Sequence, residues 1–509
     1  MLGGVAWVGA CEPAATPAPE GRLRIAWSAD PATLDPAQVV DVVGGSAVSL
    51  VYEGLLALDR SGEVAPGIAR LWGPLADGPG YRFEINPAAR SSDGRAIVAA
   101  DVIRSFERLL DPRTASPRSW VLERVLGARE FRDGRAERVD GLIEENGALI
   151  VRLEAPSASF LRLLAMPNAS VLPGGTDGSG NVATGPWVLV EHRRDSHLTF
   201  ARNPHWRGKG AAFDEVHVRI LPDEFTRVAE FEVGNLDVLE VPPAQSDRLR
   251  ASIDDPARIT RQVALVTEYV GLDNEDPVLA DPRVRRALNH AVHVEQILAT
   301  VVGGRGVRSV GAIPPSLPGG GTGVPYAHDP ELARSLLHEA GVPADWTLEL
   351  WQRPSPLAAQ VLEAVQADLR RVGVSSAIRV RDWGALKASI DRGETQAFFI
   401  NWYADYPDAE NFLVPLFHSR NRGGGGNRAR FSDPDVDAAL DAFDAIIDPS
   451  DRSREAARID RRVHELAPWI YLWNPTLEVA VSPRIEGYSP MPIAFGERWL
   501  DVRFAPDAP

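Results

Sequence analysis

A single cysteine, Cys11, stands in the 509 residues. Disulfides within the chain, CxxC redox pairs and cysteine zinc sites are thereby excluded. Cations are the minority charge: Lys and Arg number 54 against 70 Asp and Glu, a net charge of −16. That balance disfavours nucleic acid and anionic lipid surfaces as partners. No apolar run of about 18 residues occurs beyond the extreme N-terminus, so nothing there reads as a membrane span. No GxxxxGK[ST] loop is present, and the glycine runs at 319–321 and 423–426 do not open helices. The ten histidines are scattered; His192 and His197 lie near a strand pair, and His464-Glu465 lacks the second histidine of a zinc-protease helix. No nucleophile–base pair can be built from these residues. Neither a metal nor a cofactor is expected, and the chain does not read as an enzyme.

What is present is a globular composition, 44% hydrophobic and 24% charged, over a length that predicts roughly two to four domains or lobes. Residues 1–10 are apolar and small, and Val8-Gly9-Ala10-Cys11 resembles a bacterial lipobox. A Pro/Ala tether follows to residue 21. A lone cysteine can also be an inert core residue or a nucleophile, but this setting points to cleavage before Cys11 and lipid anchoring outside the cytoplasmic membrane. One departure from the pattern is that no Lys or Arg precedes the short apolar stretch.

Periodicity sets out the rest. Strands are predicted at 23–27, 81–85, 149–153 and 470–473, and helices at 46–56, 99–110, 436–447 and 452–466. Residues 64–182 form a small α/β unit. From Tyr269 the chain alternates strand and helix, with one long helix over 282–302, helices at 357–372 and 383–392, and strands at 346–351, 377–380 and 397–402. No internal repeat is seen. In such α/β units ligands favour loops beyond strand carboxyl ends. Asp405 stands there, among Trp402, Tyr403 and Tyr406. A carboxylate ringed by aromatics is partly desolvated and calls for a cation or donors. Two readings are open on these residues alone: a binder of a ligand ammonium, or a strand end whose Asp caps the next turn.

Several segments, in one order, resemble the family 5 solute-binding proteins of ABC importers, the dipeptide, oligopeptide and nickel class. They are Tyr52-Glu53-Gly54-Leu55-Leu56 with residues 62–69, Ser92-Asp93-Gly94 with Ala100-Asp101-Val102 and Phe106-Glu107-Arg108-Leu109, and residues 111–117. Thr184-Gly185-Pro186-Trp187 with Arg202-Asn203-Pro204-His205-Trp206, and residues 281–288, complete the set. The resemblance covers nearly all of residues 22–509. It implies an α/β, two-lobed clamshell of three domains, with domain I in pieces at 22–63, 183–268 and 483–509. The extra lobe is then 64–182 and domain III, the ligand-binding lobe, 269–482.

The same resemblance makes Asp405 the acceptor of a peptide α-ammonium and puts Trp402 and Trp383 in the pocket. Asn401 and Tyr403 then offer a strand edge to an extended peptide, and Tyr269 and Asp41 are further ligand-binding candidates. The departures are specific. Where oligopeptide binders place arginines for the peptide carboxylate, this chain has Ile390 and Phe399; an expected glutamate reads Val40, beside Asp41, and an expected tyrosine reads Arg118. Arg118 is the candidate replacement cation. The expected function is an extracytoplasmic, monomeric receptor, anchored through Cys11, that passes short peptides or a similar amine-bearing solute to an ABC permease. A receptor for nickel-chelate, opine or sugar ligands, and a signalling lipoprotein without a transporter, are the alternatives. No nucleic acid partner is expected.

Overall fold

Proline after aspartate writes most of the long helix starts in the C-terminal half. Asp281, Asp329, Asp433 and Asp448 each precede a proline, and each carboxylate accepts a hydrogen bond from a first-turn N–H, of Arg283, Leu332, Val436 and Ser450 respectively. The proline supplies a helical φ where no N–H is needed, and the carboxylate satisfies a donor that the helix cannot. Ser355-Pro356 repeats the device with the Ala358 N–H. The computed structural model describes residues 21–506 except 175, 177, 254 and 494. Cys11 and most of its tether therefore lie outside the described residues.

Three sheets organise the described chain. In the first, Arg22–Trp27 runs parallel to Glu215–Ile220, which pairs antiparallel with His197–Arg202 and then Trp187–Arg193. Leu23 and Ile25 point into its core together with Val216 and Val218. The second sheet is antiparallel, in the order Ala69–Pro74, Gly80–Ile85, Ala148–Arg152, Leu142–Glu145. It packs on the helix Ala99–Leu110, whose Val102, Phe106, Leu109 and Leu110 are buried against it. In the third sheet, Val266–Leu272 lies between Trp469–Val481 and Ala397–Tyr403, followed by Thr347–Gln352 and Ser375–Val380. Helices cover both faces, giving one core around Val270, Leu350 and Val365 and another around Tyr269, Phe398 and Trp469.

The 13-residue strand Trp469–Val481 holds these parts together. Its first half pairs with Val266–Leu272 and its second half with Val238–Glu240 and Ile259–Val263. Beyond its end, Asp237 gathers three distant pieces of chain. The fully buried Asp237 carboxylate accepts from the Arg24 backbone N–H at 2.8 Å and guanidinium at 2.7 Å, from Arg484 at 2.9 Å and from the Ser482 hydroxyl at 3.2 Å. The strand near the N-terminus is thereby tied to the C-terminal segment.

Several expected helices differ in their limits; those over 436–447 and 452–466 are Pro434–Phe443 and Pro449–Leu466. The expected helix over 282–302 is two, Pro282–Ala291 and Val294–Thr300. Val292 turns extended, and the His293 N–H that this frees is taken by Asp368 of the neighbouring helix at 2.9 Å. The first helix runs over Val42–Val51 rather than 46–56, because Asp41 caps it through the Gly44 N–H at 2.8 Å and Leu56 already belongs to a strand.

Replacing Asp237 strands two arginines, Arg24 and Arg484, that are mostly out of water. Asp237→Ala is expected to lower unfolding free energy by about 3 kcal/mol in urea titrations followed by tryptophan fluorescence. A loss under about 0.5 kcal/mol, within the range of an ordinary surface change, would show that the junction is held elsewhere.

Candidate functional site

The strand Ala397–Tyr403 is buried through Ile400 and opens to solvent after it. On one side it pairs along its full length with Val266–Leu272. On the other side its pairing with Thr347–Gln352 ends at Trp351 opposite Phe398. Among the described residues, 399–403 thus present a free main-chain edge, and Asp405 lies two residues beyond it.

Asp405 and Arg118 form an ion pair at 3.2 Å, each side chain about one-fifth exposed. The other Arg118 terminal nitrogen donates to the Val40 carbonyl at 3.2 Å. Asn411 orders the turn: its carbonyl oxygen accepts from the Asp405 backbone N–H at 3.0 Å and from the Trp402 indole at 3.3 Å. Burial raises the Asp405 carboxyl above its ordinary value, against the opposing pull of Arg118 and Asn411. The site therefore holds a carboxylate that gains from any further cation.

The residues after Asp405 fasten the two halves of the chain together. Tyr406 is buried in the core of the antiparallel sheet, near Trp120, and its hydroxyl donates to Glu410. Arg124 bridges Glu410 at 3.2 Å and Asp444 at 2.7 Å. Asp444 also accepts from the hydroxyls of Ser157 at 2.6 Å and Ser159 at 2.8 Å. Burial pushes Asp444 up, but Arg124 and the serines outweigh it and hold it below the usual carboxylate range. Glu410, more deeply enclosed, stays raised by burial.

A second group sits on the strand pair beside the open edge. Glu268 faces Asn401 across the pair and accepts from its amide at 2.9 Å. Only 8% exposed, Glu268 is lifted by burial to about 7, with Asn401 and the Arg353 guanidinium pulling the other way. Tyr403 is 51% exposed. Its phenol is raised to about 12, chiefly by burial and then by the negative charges of Glu268 and Glu240. Arg353 directly follows the strand Thr347–Gln352 and is exposed, without an ion-pair partner among the described residues.

The expected site residues divide. Asp405, Trp402 and Arg118 come together, and Asn401 and Tyr403 lie on the adjoining edge. Trp383 stands 46% exposed in the first turn of Trp383–Arg392. Tyr269 is buried and stacks on Trp469 at 3.6 Å, inside a strand buried at all seven positions. Asp41 is engaged as a helix cap. Ile390 and Phe399 are core positions, so their places offer no room for a cleft arginine. Arg118, the candidate replacement cation, is paired with Asp405. Asn411, Glu268, Glu240 and Arg353 had no signal of their own in the sequence, because strand register and chain crossings bring them to the site.

This is the architecture of the periplasmic binding proteins, two lobes with an additional domain. The solved structure of Burkholderia pseudomallei OppA matches it with a TM-score of 0.80, covering 96% of this chain and 100% of that chain at 23% identity. The family model described as "Bacterial extracellular solute-binding proteins, family 5 Middle" matches residues 63–424, and the chain belongs to that family. Di/tripeptide-binding protein 4 of Pseudomonas aeruginosa is 32% identical, over 93% of each chain. Probable di/tripeptide-binding protein 5 of the same organism is 29% identical, over 94% of this chain and 95% of its own. The family is one of binding proteins that work outside the cytoplasm. Among the described residues no helix is long and apolar enough to cross a membrane.

Arg124 and the groups it joins set how firmly the halves close. Arg124→Leu leaves Glu410 and Asp444 without their shared cation, and the ligand-free protein is expected to expand, read as a larger radius of gyration in small-angle scattering. An unchanged profile would place the closing contacts elsewhere.

Proposed function

We propose that this protein is the extracytoplasmic receptor of an ABC importer and captures short peptides in the cleft between its lobes. The observation that carries the reading is the free edge at 399–403, running toward Asp405. An extended peptide adds to such an edge through main-chain hydrogen bonds, which give affinity without regard to side chains. Its α-ammonium is met by Asp405, a partly desolvated carboxylate that gains from a second cation beside Arg118. Its carboxylate is met by Arg353, the exposed cation at the end of the adjacent strand. Two charges at fixed positions favour a narrow range of peptide lengths. The relatives named for di- and tripeptides support that size.

No bond is made or broken in this function. Ligand touching both lobes favours the closed state, which a permease then distinguishes from the open one. Importer receptors of this kind work at about micromolar affinity, on the order of −8 kcal/mol. The protein acts as a monomer, and a lipid on Cys11 would hold it at the membrane beside its permease.

Two substitutions test the two ends. Asp405→Ala is expected to cost roughly 2–4 kcal/mol for a tripeptide with a free amino end and little for its N-acetyl form, by calorimetry. Equal losses for both forms would remove Asp405 from the ammonium role. Arg353→Ala is expected to weaken the free acid by roughly 2–3 kcal/mol and to leave the C-terminal amide nearly unaffected. If the acid and the amide suffer alike, the carboxylate docks elsewhere.

A further inference from the structure

We propose that Glu268, Glu240 and the Tyr403 ring form a subsite for a cationic side chain, so that the receptor prefers peptides carrying a basic residue. This rests on the peptide reading above and concerns a part of the cleft distinct from the Asp405 end.

The register places the first two groups. Val266 lies opposite Tyr403 and Glu268 opposite Asn401, so Glu268 and Tyr403 are diagonal neighbours on one face of the strand pair. Diagonal positions stand roughly 7–8 Å apart, within reach of a long side chain. Glu240 ends another strand, Val238–Glu240, and its negative charge joins that of Glu268 in raising the Tyr403 phenol. One half-exposed aromatic ring thus has a carboxylate diagonally across the strand pair and feels the negative charge of a second from another part of the sheet.

Both carboxylates are short of partners. Neither has an ion-pair partner among the described residues, although most acidic side chains elsewhere in this chain do not lack for arginines. Glu268 is nearly buried and accepts one hydrogen bond, from Asn401, where an ionised carboxylate offers about four acceptor positions. Burial holds Glu240 above its ordinary value as well. Arg353 acts on Glu268 only from a distance, without a hydrogen bond to it, and serves the peptide carboxylate in the reading above. A nearly buried carboxylate left unpaired is costly, and it persists where a ligand supplies the missing charge. An aromatic face beside it adds cation–π attraction for an ammonium or guanidinium. A lysine or arginine side chain meets all three features. A neutral side chain meets only the ring, and an acidic one is repelled.

The test uses calorimetry with the full chain and tripeptides that differ at one position, carrying lysine, norleucine or glutamate at each position in turn. At one position the wild-type protein is expected to bind the lysine peptide at least tenfold more tightly than the norleucine peptide and to reject glutamate. Glu268→Gln is expected to bring the lysine-to-norleucine ratio close to one. Glu240→Gln, on a different strand, is expected to lower the same ratio and covers the case in which the Glu268 variant does not fold. A ratio near one in the wild type, or a ratio that survives both substitutions, overturns the assignment. Absence of binding by every tripeptide overturns the peptide reading itself and this subsite with it.

Discussion

A carboxylate kept from water must be met by positive charge, and this requirement shapes the cleft. Asp405 meets it with Arg118, which comes from the other half of the chain and holds the Val40 carbonyl with its second nitrogen. In the proposed function, the pair spans the space that the ligand enters. A ligand ammonium therefore arrives at a carboxylate already partly satisfied, and its gain is the difference between sharing Asp405 with Arg118 and being hydrated. Such a difference suits a receptor that must also let its ligand go, because an unpartnered buried carboxylate would bind a cation far more tightly.

On the proposed reading, the same chain segment that carries recognition also carries closure. Asp405 is followed by Tyr406, whose ring enters the core of the antiparallel sheet, and by Glu410, which shares Arg124 with Asp444. Moving the lobes apart would withdraw Tyr406 from that core and expose the Arg124 contacts. Asn411 fixes both parts at once by bonding the Asp405 N–H and the Trp402 indole. Recognition and closure thus share one rigid turn of about seven residues rather than a long path through the fold.

Much of this was legible in the sequence because it is local. The Asp-Pro helix starts, the amphipathic face at Val102, Phe106 and Leu109, and the aromatic cluster around Asp405 are all patterns within a short span. The failures are equally physical. The run at 282–302 has helical periodicity throughout, yet Asp368, 75 residues away, stabilises a break at His293. Tyr269 was a ligand-binding candidate through the resemblance, but all seven residues of Val266–Leu272 are buried, so alternation cannot tell core from cleft there. Glu268 was hidden for the same reason: its neighbours Val270 and Leu272, on the same face, are core residues.

That contrast gives Glu268 its meaning. Along one face of a strand it stands two places from Val270, where an apolar side chain would extend the core at no electrostatic cost. A single amide hydrogen bond from Asn401 does not repay burial of an ionised carboxylate, and its raised pKa near 7 is the mark of that deficit. The buried Asp237 shows what this fold does when a carboxylate serves structure: it surrounds the group with two arginines, a hydroxyl and a backbone N–H. Glu268 has no such shell, and it sits at the end of the strand pair where the core gives way to the cleft. Structure accounts for the first arrangement, and the cationic side chain proposed above would supply what the second lacks.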